Sequence, residues 1–423
     1  MFTTAGNFVN PWLLAYPLLR SAVVAHPYPS FDRRKGVASH HAHAPQDDIV
    51  YPTTIPFVLV HLACFGAIWT GVTLQALWVA VALYFIRMWA ITAGYHRYFS
   101  HRSYKTNRVM QFLIAFLGQT SAQRGAIWWA AVHRHHHLHS DTPEDVHSPR
   151  HFGFWYSHFG WIFNPKNWEP DPGTVRDLTQ YRELVILNKT NYSPAVLLGF
   201  AMWLWGGWPM LVVGFFWSTV AVYHGTFAIN SLAHEWGSQR YLTGDDSRNN
   251  FFLALITLGE GWHNNHHHYQ SSTRQGFRWW EIDISYYILK VMSWFGLVWD
   301  LRSPPDEVVR GVNPIGRKVL DKVATELAGS FSVEVIATRV RESWTESHTL
   351  EDLSDRAKRT RNQLETRIAE MSLPHLPTIP ELRDKAEEMF QESPSVDEIV
   401  NRAHELLAYM VAVHVCDMAL AAA

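Results

Sequence analysis

Leu74 to His101 reads LQALWVAVALYFIRMWAITAGYHRYFSH, an apolar run that ends in two histidines. Between Leu74 and Ala93 the only charged side chain is Arg87. A helix of about 20 such residues, at about 1.5 Å each, crosses the roughly 30 Å hydrocarbon core of a bilayer. Just beyond it stand His96 and His101, side chains that bind metals rather than lipid. Upstream, Thr54–Thr70 is a second apolar run with no Asp, Glu, Lys or Arg and with His61 as its one imidazole, joined to the first by Thr70-Gly71-Val72-Thr73. Downstream, Ser193–Trp205 and Met210–Asn230 form another pair across Gly206-Gly207-Trp208-Pro209. Both links carry no charge, whereas residues 94–192 hold 11 lysines and arginines. The positive-inside rule puts that segment and both termini on the cytoplasmic side.

This predicts an all-α, multi-pass membrane protein: four transmembrane helices under a cytoplasmic helical cap holding a di-metal site, with a helical C-terminal extension. Residues 1–52 form an N-terminal cytoplasmic segment, 53–302 the transmembrane domain and 303–423 the extension. Val109–Ala130 is expected to lie along the membrane surface, because Gln111, Gln119, Gln123 and Arg124 interrupt it.

Composition agrees once it is divided. Overall, 17% of residues are charged and 48% hydrophobic, with a net charge of −2. That excludes a disordered chain and gives no general attraction to nucleic acid. Two distant cysteines, Cys64 and Cys416, make neither a disulfide framework nor a thiolate metal site. Ser303–Ala423 has 21 acidic and 14 basic residues against 17 and 22 in the rest, so a sparse body at +5 joins a dense tail at −7. The mean hydropathy of −0.11 hides this division. Tail helices are predicted at Gly316–Ala328, Leu350–Met371, Ile379–Phe390 and Ser395–Leu420, with a break at Leu373–Pro377. Mixed charges along Asp352–Arg367 read as a solvated surface, and an acidic face that docks an electron donor or a second copy is the sharper alternative.

The 25 histidines are clustered. His133, His136, His137 and His263, His266, His267 each have the pattern i, i+3, i+4, which puts three imidazoles on one helical face. His96 and His101 differ: five residues is about 140° on an ideal helix. Either the helix ends between them or they face different metal ions. Asn230 and His234 lie at i, i+4 where the fourth apolar run ends. Nine imidazoles exceed the three or four ligands of one zinc site, and imidazole also suits iron, copper and nickel. Two metals with fuller shells would use most of them. Single histidines such as His61, His135, His139, His268 and the N-terminal ones are as readily incidental.

Taken together, HRYFSH (His96–His101), HRHHH (His133–His137), NSLAH (Asn230–His234) and HNNHH (His263–His267) resemble the histidine boxes of membrane-bound fatty acyl desaturases of the stearoyl-CoA Δ9 type. The similarity runs from about Ile55 to Arg302 and is nearest to bacterial members. Ile91–Gly94, Ser140–Asp145 and Gly259–Trp262 support it. The resemblance implies two irons (Fe2+/Fe3+) held by His96, His101, His133, His136, His137, His234, His263, His266 and His267, with Asn230 acting through water. It also implies an acyl channel lined by Gln123, Trp129, Thr226 and Phe227, the last where tryptophan is common. Animal forms carry an Arg-Asp pair before box two; here Ala131-Val132 stands there, which leaves acyl-CoA, a carrier protein or a glycerolipid as the acyl carrier.

The implied reaction is O2-dependent formation of a cis double bond, Δ9 by family default, in a saturated acyl chain, most simply acyl-CoA. Lacking a His-Pro-Gly-Gly haem motif and a GxGxxG fingerprint, the chain is expected to take electrons from a separate ferredoxin, or cytochrome b5 with its reductase. The implied location is a bilayer: a bacterial inner membrane, or the endoplasmic reticulum in a eukaryote. An acyl-lipid desaturase and a fatty acyl or alkane hydroxylase on the same scaffold are the enzyme alternatives. A metal transporter is the non-enzyme one, disfavoured because transporters place polar ligands inside their spans.

Overall fold

A computed structural model describes residues 51–167, 170–312, 316–347, 376–390 and 396–421. Among the described residues the named elements are helical apart from a two-residue antiparallel pairing of Lys105–Thr106 with Val298–Trp299, and irregular stretches carry isolated bridges between Ser238 and Asn249 and between Asn249 and Trp262. Nearly all of the predicted 1–52 segment, and the Leu350–Met371 helix, lie outside the described residues.

Among the described residues two helices are long and apolar enough to cross a membrane, Leu74–Ser100 and Ser193–Glu235; Ile55–Thr70 is apolar but shorter. The first has 27 residues, about 40 Å, so it outruns the hydrocarbon core by about 10 Å. Exposure agrees with that arithmetic. Leu74, Trp78, Val81, Phe85 and Ile86 are exposed, whereas Ala90 to Arg97 are buried without a break. Thr73 starts the helix by accepting the Ala76 amide. Arg87, which interrupts the apolar run, is buried and donates to Leu83 O, Thr120 O, Thr219 Oγ1 and Ser218 Oγ. A charge at this depth is tolerable because it faces partners rather than lipid.

The Ser193–Glu235 helix is not continuous. Gly206 and Gly207 leave helical geometry, Gly207 at φ +64. A Cβ on Gly199 would sit 3.2 Å from the Phe215 ring, and residues 16 apart on a straight helix would be about 24 Å apart. The chain therefore doubles back at Gly206-Gly207, as the uncharged link suggested.

The predicted Val109–Ala130 helix divides into Arg108–Gln119 and Ala126–His139. Ala122 and Arg124 between them adopt positive φ. The glutamines that argued against a span turn inward: Gln119 donates to Leu187 O and Asn191 O, and Gln123 donates to Thr226 Oγ1.

In the extension, Arg317–Gly329, Ile379–Met389 and Val396–Ala421 match prediction within a residue or so, Thr378 and Glu381 forming a capping box. Val333–Ser347 was not foreseen. These helices bury their own core, including Leu327, Leu382, Ile399, Leu407 and Val411. The Asp352–Arg367 stretch that reads as a solvated surface lies outside the described residues; elsewhere, Leu242 of the cap packs against that core, Lys322 donates to Ser140 O and Glu326 accepts from Arg150.

Candidate metal centre

The nine predicted histidines converge into two groups, within each of which the ligand atoms lie within 4.8 Å of one another. One comprises His96, His101, His133, His137 and His266; the other His136, His234, His263 and His267. Each i, i+3, i+4 triplet is shared. On Ala126–His139, the pair His133/His137 serves the first group and His136 the second. On His263–His268 the division is reversed. The groups touch, with the His137 and His267 ring centroids 4.4 Å apart.

His96 and His101 join one group, and of the two options from the sequence it is the helix ending between them that holds: the helix stops at Ser100 and His101 caps it. Ala90–Ser100 is wound as a π-helix, and the His101 amide bonds His96 O, an i→i+5 bond. Residue i+5 then stands one turn above residue i. The wider winding occurs where Gly94 is pressed against Ile114, whose Cγ2 would lie 2.3 Å from an added Cβ.

Carboxylates orient the rings. His136 Nδ1 donates to Asp145 at 2.9 and 3.0 Å, His234 Nδ1 to Asp141 at 2.8 Å and His267 Nδ1 to Asp245 at 2.7 Å. His96 Nδ1 contacts Glu260, which also accepts from Arg97. With the proton fixed on Nδ1, Nε2 of His136 and His267 offers its lone pair to the centre. Burial is outweighed by Asp141 at His234, whose pKa is raised to about 9 and which gives up its Nε2 proton on binding metal. Burial opposes ionisation of Asp141, Asp145, Asp245 and Glu260, yet their histidine partners hold all four below the usual carboxylate range. Burial first, then neighbouring imidazoles, push His101, His133, His137, His263 and His266 well below ordinary histidine, so they are neutral at pH 7. Neutral imidazole is the metal-binding form.

The donor set fits metal. Nε2 atoms face one another in a chain: His96–His266 3.0 Å, His266–His137 2.9 Å, His137–His133 2.9 Å and His133–His101 2.9 Å. His266, His137 and His133 each face two other Nε2 atoms, and one proton per ring cannot satisfy that arrangement. Metal–imidazole bonds of about 2.0–2.1 Å, the value for zinc, would put cis ligands of a six-coordinate shell about 2.9 Å apart and tetrahedral ones about 3.3 Å apart. The observed spacings match the former. His267 Nε2 has no hydrogen-bond partner among the described residues.

A cavity of about 790 Å³ reaches this cluster, lined by aromatic and aliphatic side chains such as Phe57, Trp161 and Phe215, with His133 and Asn230 in its wall. Gln123, Trp129, Thr226 and Phe227 all line it. Trp129 stacks on His133, with centroids 4.9 Å apart. A void of about 40 Å³ borders His96, His133, His136, His263 and Asn230, room for about one water.

His61, His135, His139 and His268 join neither group, as half expected. His61 bonds His224, which bonds His158, which reaches Ser231. His135 bonds Glu144 O, His139 stacks on His135, and His268 stacks on Tyr241. Sequence reasoning missed Asp245 altogether, and it missed His147, buried beside His136 with centroids 4.3 Å apart. Asp141, Asp145 and Glu260 stood in recognised motifs without a role. The scarcity of acidic residues in the body was the available signal.

Comparison with known proteins agrees with this geometry. The family model described as fatty acid desaturase matches residues 72–292. An acyl-CoA 5-desaturase of Anemone leveillei is 36% identical over 251 residues, 58% of this chain and 78% of the relative. An sn-1 stearoyl-lipid 9-desaturase of Anabaena variabilis is 34% identical over 260 residues, 60% of this chain and 94% of the relative. Delta-9 acyl-lipid desaturase 1 of Arabidopsis thaliana is 37% identical over 252 residues, 59% and 82% of the two chains. The matched stretch runs from the link between the first two apolar helices to the helix after the third histidine cluster, and on this footing the chain belongs to the fatty acid desaturase family.

Proposed function

We propose that this chain removes two vicinal hydrogens from a saturated fatty acyl chain and leaves a cis double bond, consuming one O2, two external electrons and two protons and releasing two waters. The observation that carries the reading is the largely apolar cavity of about 790 Å³ whose wall includes His133 of the histidine cluster and Asn230. His96, His101, His133, His137 and His266 would hold one iron; His136, His234, His263 and His267 the other, with Asn230 acting through water. Iron bound there supplies the O2 activation that an unactivated methylene needs and that no side-chain acid or base can replace.

The protein's own part is placement. Apolar walls exclude water and hold the chain so that one pair of carbons meets the centre. Gln123 and Thr226, joined at 3.0 Å, brace the wall beside Trp129 and Phe227. Asp141, Asp145, Asp245 and Glu260 keep the imidazoles aimed.

The proposed substrate is an acyl-CoA desaturated at Δ9. A glycerolipid-linked chain is the second reading. Ala131 and Val132 are buried at 2% and 5% exposure, so they present no charge to a coenzyme A headgroup, and relatives with both kinds of name are found. Electrons come from a ferredoxin or cytochrome b5 system. The chain sits in its bilayer as two helical hairpins, four spans, with the termini and the 53–302 domain's helical cap on the cytoplasmic side and residues 303–423 extending the cap. The test is expression in a host lacking its own desaturase, with fatty acids and intact lipids analysed by mass spectrometry. New cis-monoenes, absent for His263→Ala, support the reading; hydroxy acids or an unchanged profile count against it.

A further inference from the structure

The extension begins beyond the family match, which ends at residue 292. Its Arg317–Gly329 helix lies against two short stretches of the cap, Ser140–Asp141 and Leu242–Asp246. Lys322 Nζ donates to Ser140 O at 2.7 Å, just past the end of the Ala126–His139 helix. Such a position favours a cation, because terminal carbonyls lack helical partners. Glu326 accepts from Arg150 at 2.6 Å, and the same guanidinium grips both oxygens of Asp246 at 2.5 and 2.7 Å. Gly244, at φ +75, lies flat on the helix, with Val319 and Lys322 atoms 3.4 and 3.6 Å from where a Cβ would stand.

Those stretches carry the carboxylates that aim two imidazoles of the four-histidine group. The Asp246 amide donates to Asp141 Oδ2 at 2.8 Å, the oxygen that accepts from His234. Asp245, next in the chain, accepts from His267 at 2.7 Å. Support therefore passes from Lys322 and Glu326, through Ser140, Arg150 and Asp246, to Asp141 and Asp245. The five-histidine group rests on a separate carboxylate, Glu260, held by Arg97 and Asp283.

We propose that the C-terminal extension clamps one half of the metal centre: through Lys322 and Glu326 it positions Asp141 and Asp245, and so governs how firmly the four-histidine group retains its metal. This deepens the proposed function and rests on its reading of that group as a metal site. Lys322 and Glu326 touch neither metal nor substrate, so they are positioning residues. Loosening groups that aim ligands weakens retention by about 10–100-fold when the aiming carboxylate itself is lost. One layer further out, the lower end is the expectation.

The test uses the full-length protein loaded with iron and carrying Lys322→Met and Glu326→Gln together. Release of Fe2+ to a colorimetric chelator is monitored in time, with thermal unfolding recorded alongside. The expected result is two phases: half the iron leaves about tenfold faster than in the parent and half at the parent rate. Lys322→Arg with Glu326→Asp restores the slow rate, and Lys385→Ala, on a distant exposed pair, leaves release unchanged. Equal acceleration of both halves, or no acceleration, overturns the clamp. A protein that takes up no metal would instead refute the metal reading. The clamp is then judged by hydrogen exchange at the Asp246 amide: faster exchange in the double variant supports it, and unchanged exchange overturns it.

Discussion

Glu260 offers the sharpest perturbation of the five-histidine group. It is 5% exposed and accepts from His96 Nδ1 and from Arg97 Nε at 3.1 Å, with Arg97 Nη2 in ion-pair contact at 3.0 Å, while Arg97 is also paired with Asp283 at 2.8 Å. Glu260→Gln keeps the shape and removes the charge. Its amide oxygen can serve Arg97 or His96, but the amide NH2 then faces the other donor. At least one buried, charge-assisted bond is lost, worth about 1.5–3 kcal/mol. At about 1.4 kcal/mol per tenfold, metal retention by the five-histidine group falls about 10–100-fold. The assay is iron content per chain after purification, then competition with a graded series of chelators. Iron is expected to fall from about two per chain toward one, with monoene formation falling alongside and thermal unfolding little changed. A Glu260→Gln protein that holds both irons as tightly as the parent would refute the argument that this carboxylate aims His96.

Three further outcomes are expected. Gly259 sits at φ +122, where an added Cβ would lie 2.4 Å from Asp283 Oδ1 and 2.9 Å from Arg97; Gly259→Ala should cost about 3 kcal/mol or more, and a melting temperature within a degree or two of the parent would contradict this. Gln123→Leu removes the 3.0 Å bond to Thr226 in the cavity wall, so the double-bond position should spread among neighbouring carbons in derivatised fatty acids, and an unaltered single product would argue against a positioning role. The third concerns protons. The folded-state pKa values of His101, His133, His137, His263 and His266 lie well below the ordinary value, so these rings stay neutral as pH falls through it. At pH 6, five unshifted histidines of pKa about 6.5 would release about four protons on binding metal. Anaerobic Fe2+ titration of the metal-free protein, in buffers of different ionisation heat, should find close to none from this set.

The parts legible in the sequence were those with local periodicity. Apolar runs of spanning length, the Gly206-Gly207 reversal and the two i, i+3, i+4 triplets need only neighbours a turn or two away. How the triplets divide between the groups was not legible, since it depends on the crossing of the Ala126–His139 and His263–His268 helices. Which of the two options for His96 and His101 holds was not legible, since neither the π-helical winding nor its end at Ser100 leaves a mark in the residue spacing. Asp245 sits in an irregular loop 22 residues before its partner His267, where no spacing rule applies. The roles of Lys322 and Glu326 were not legible because their partners, Ser140 and Arg150, lie more than 170 residues away.

The central claim is that a histidine-held di-iron centre desaturates an acyl chain, and turnover stoichiometry tests it most directly. Purified full-length protein, with measured metal content, is given a saturated C18 acyl-CoA or acyl-lipid, a reduced ferredoxin or cytochrome b5 system and a known amount of O2. The account predicts two irons per chain and one cis-monoene per O2 and per electron pair consumed, abolished by His263→Ala. A hydroxylated product, or a protein that purifies with zinc and consumes no O2 in the presence of substrate, would contradict it.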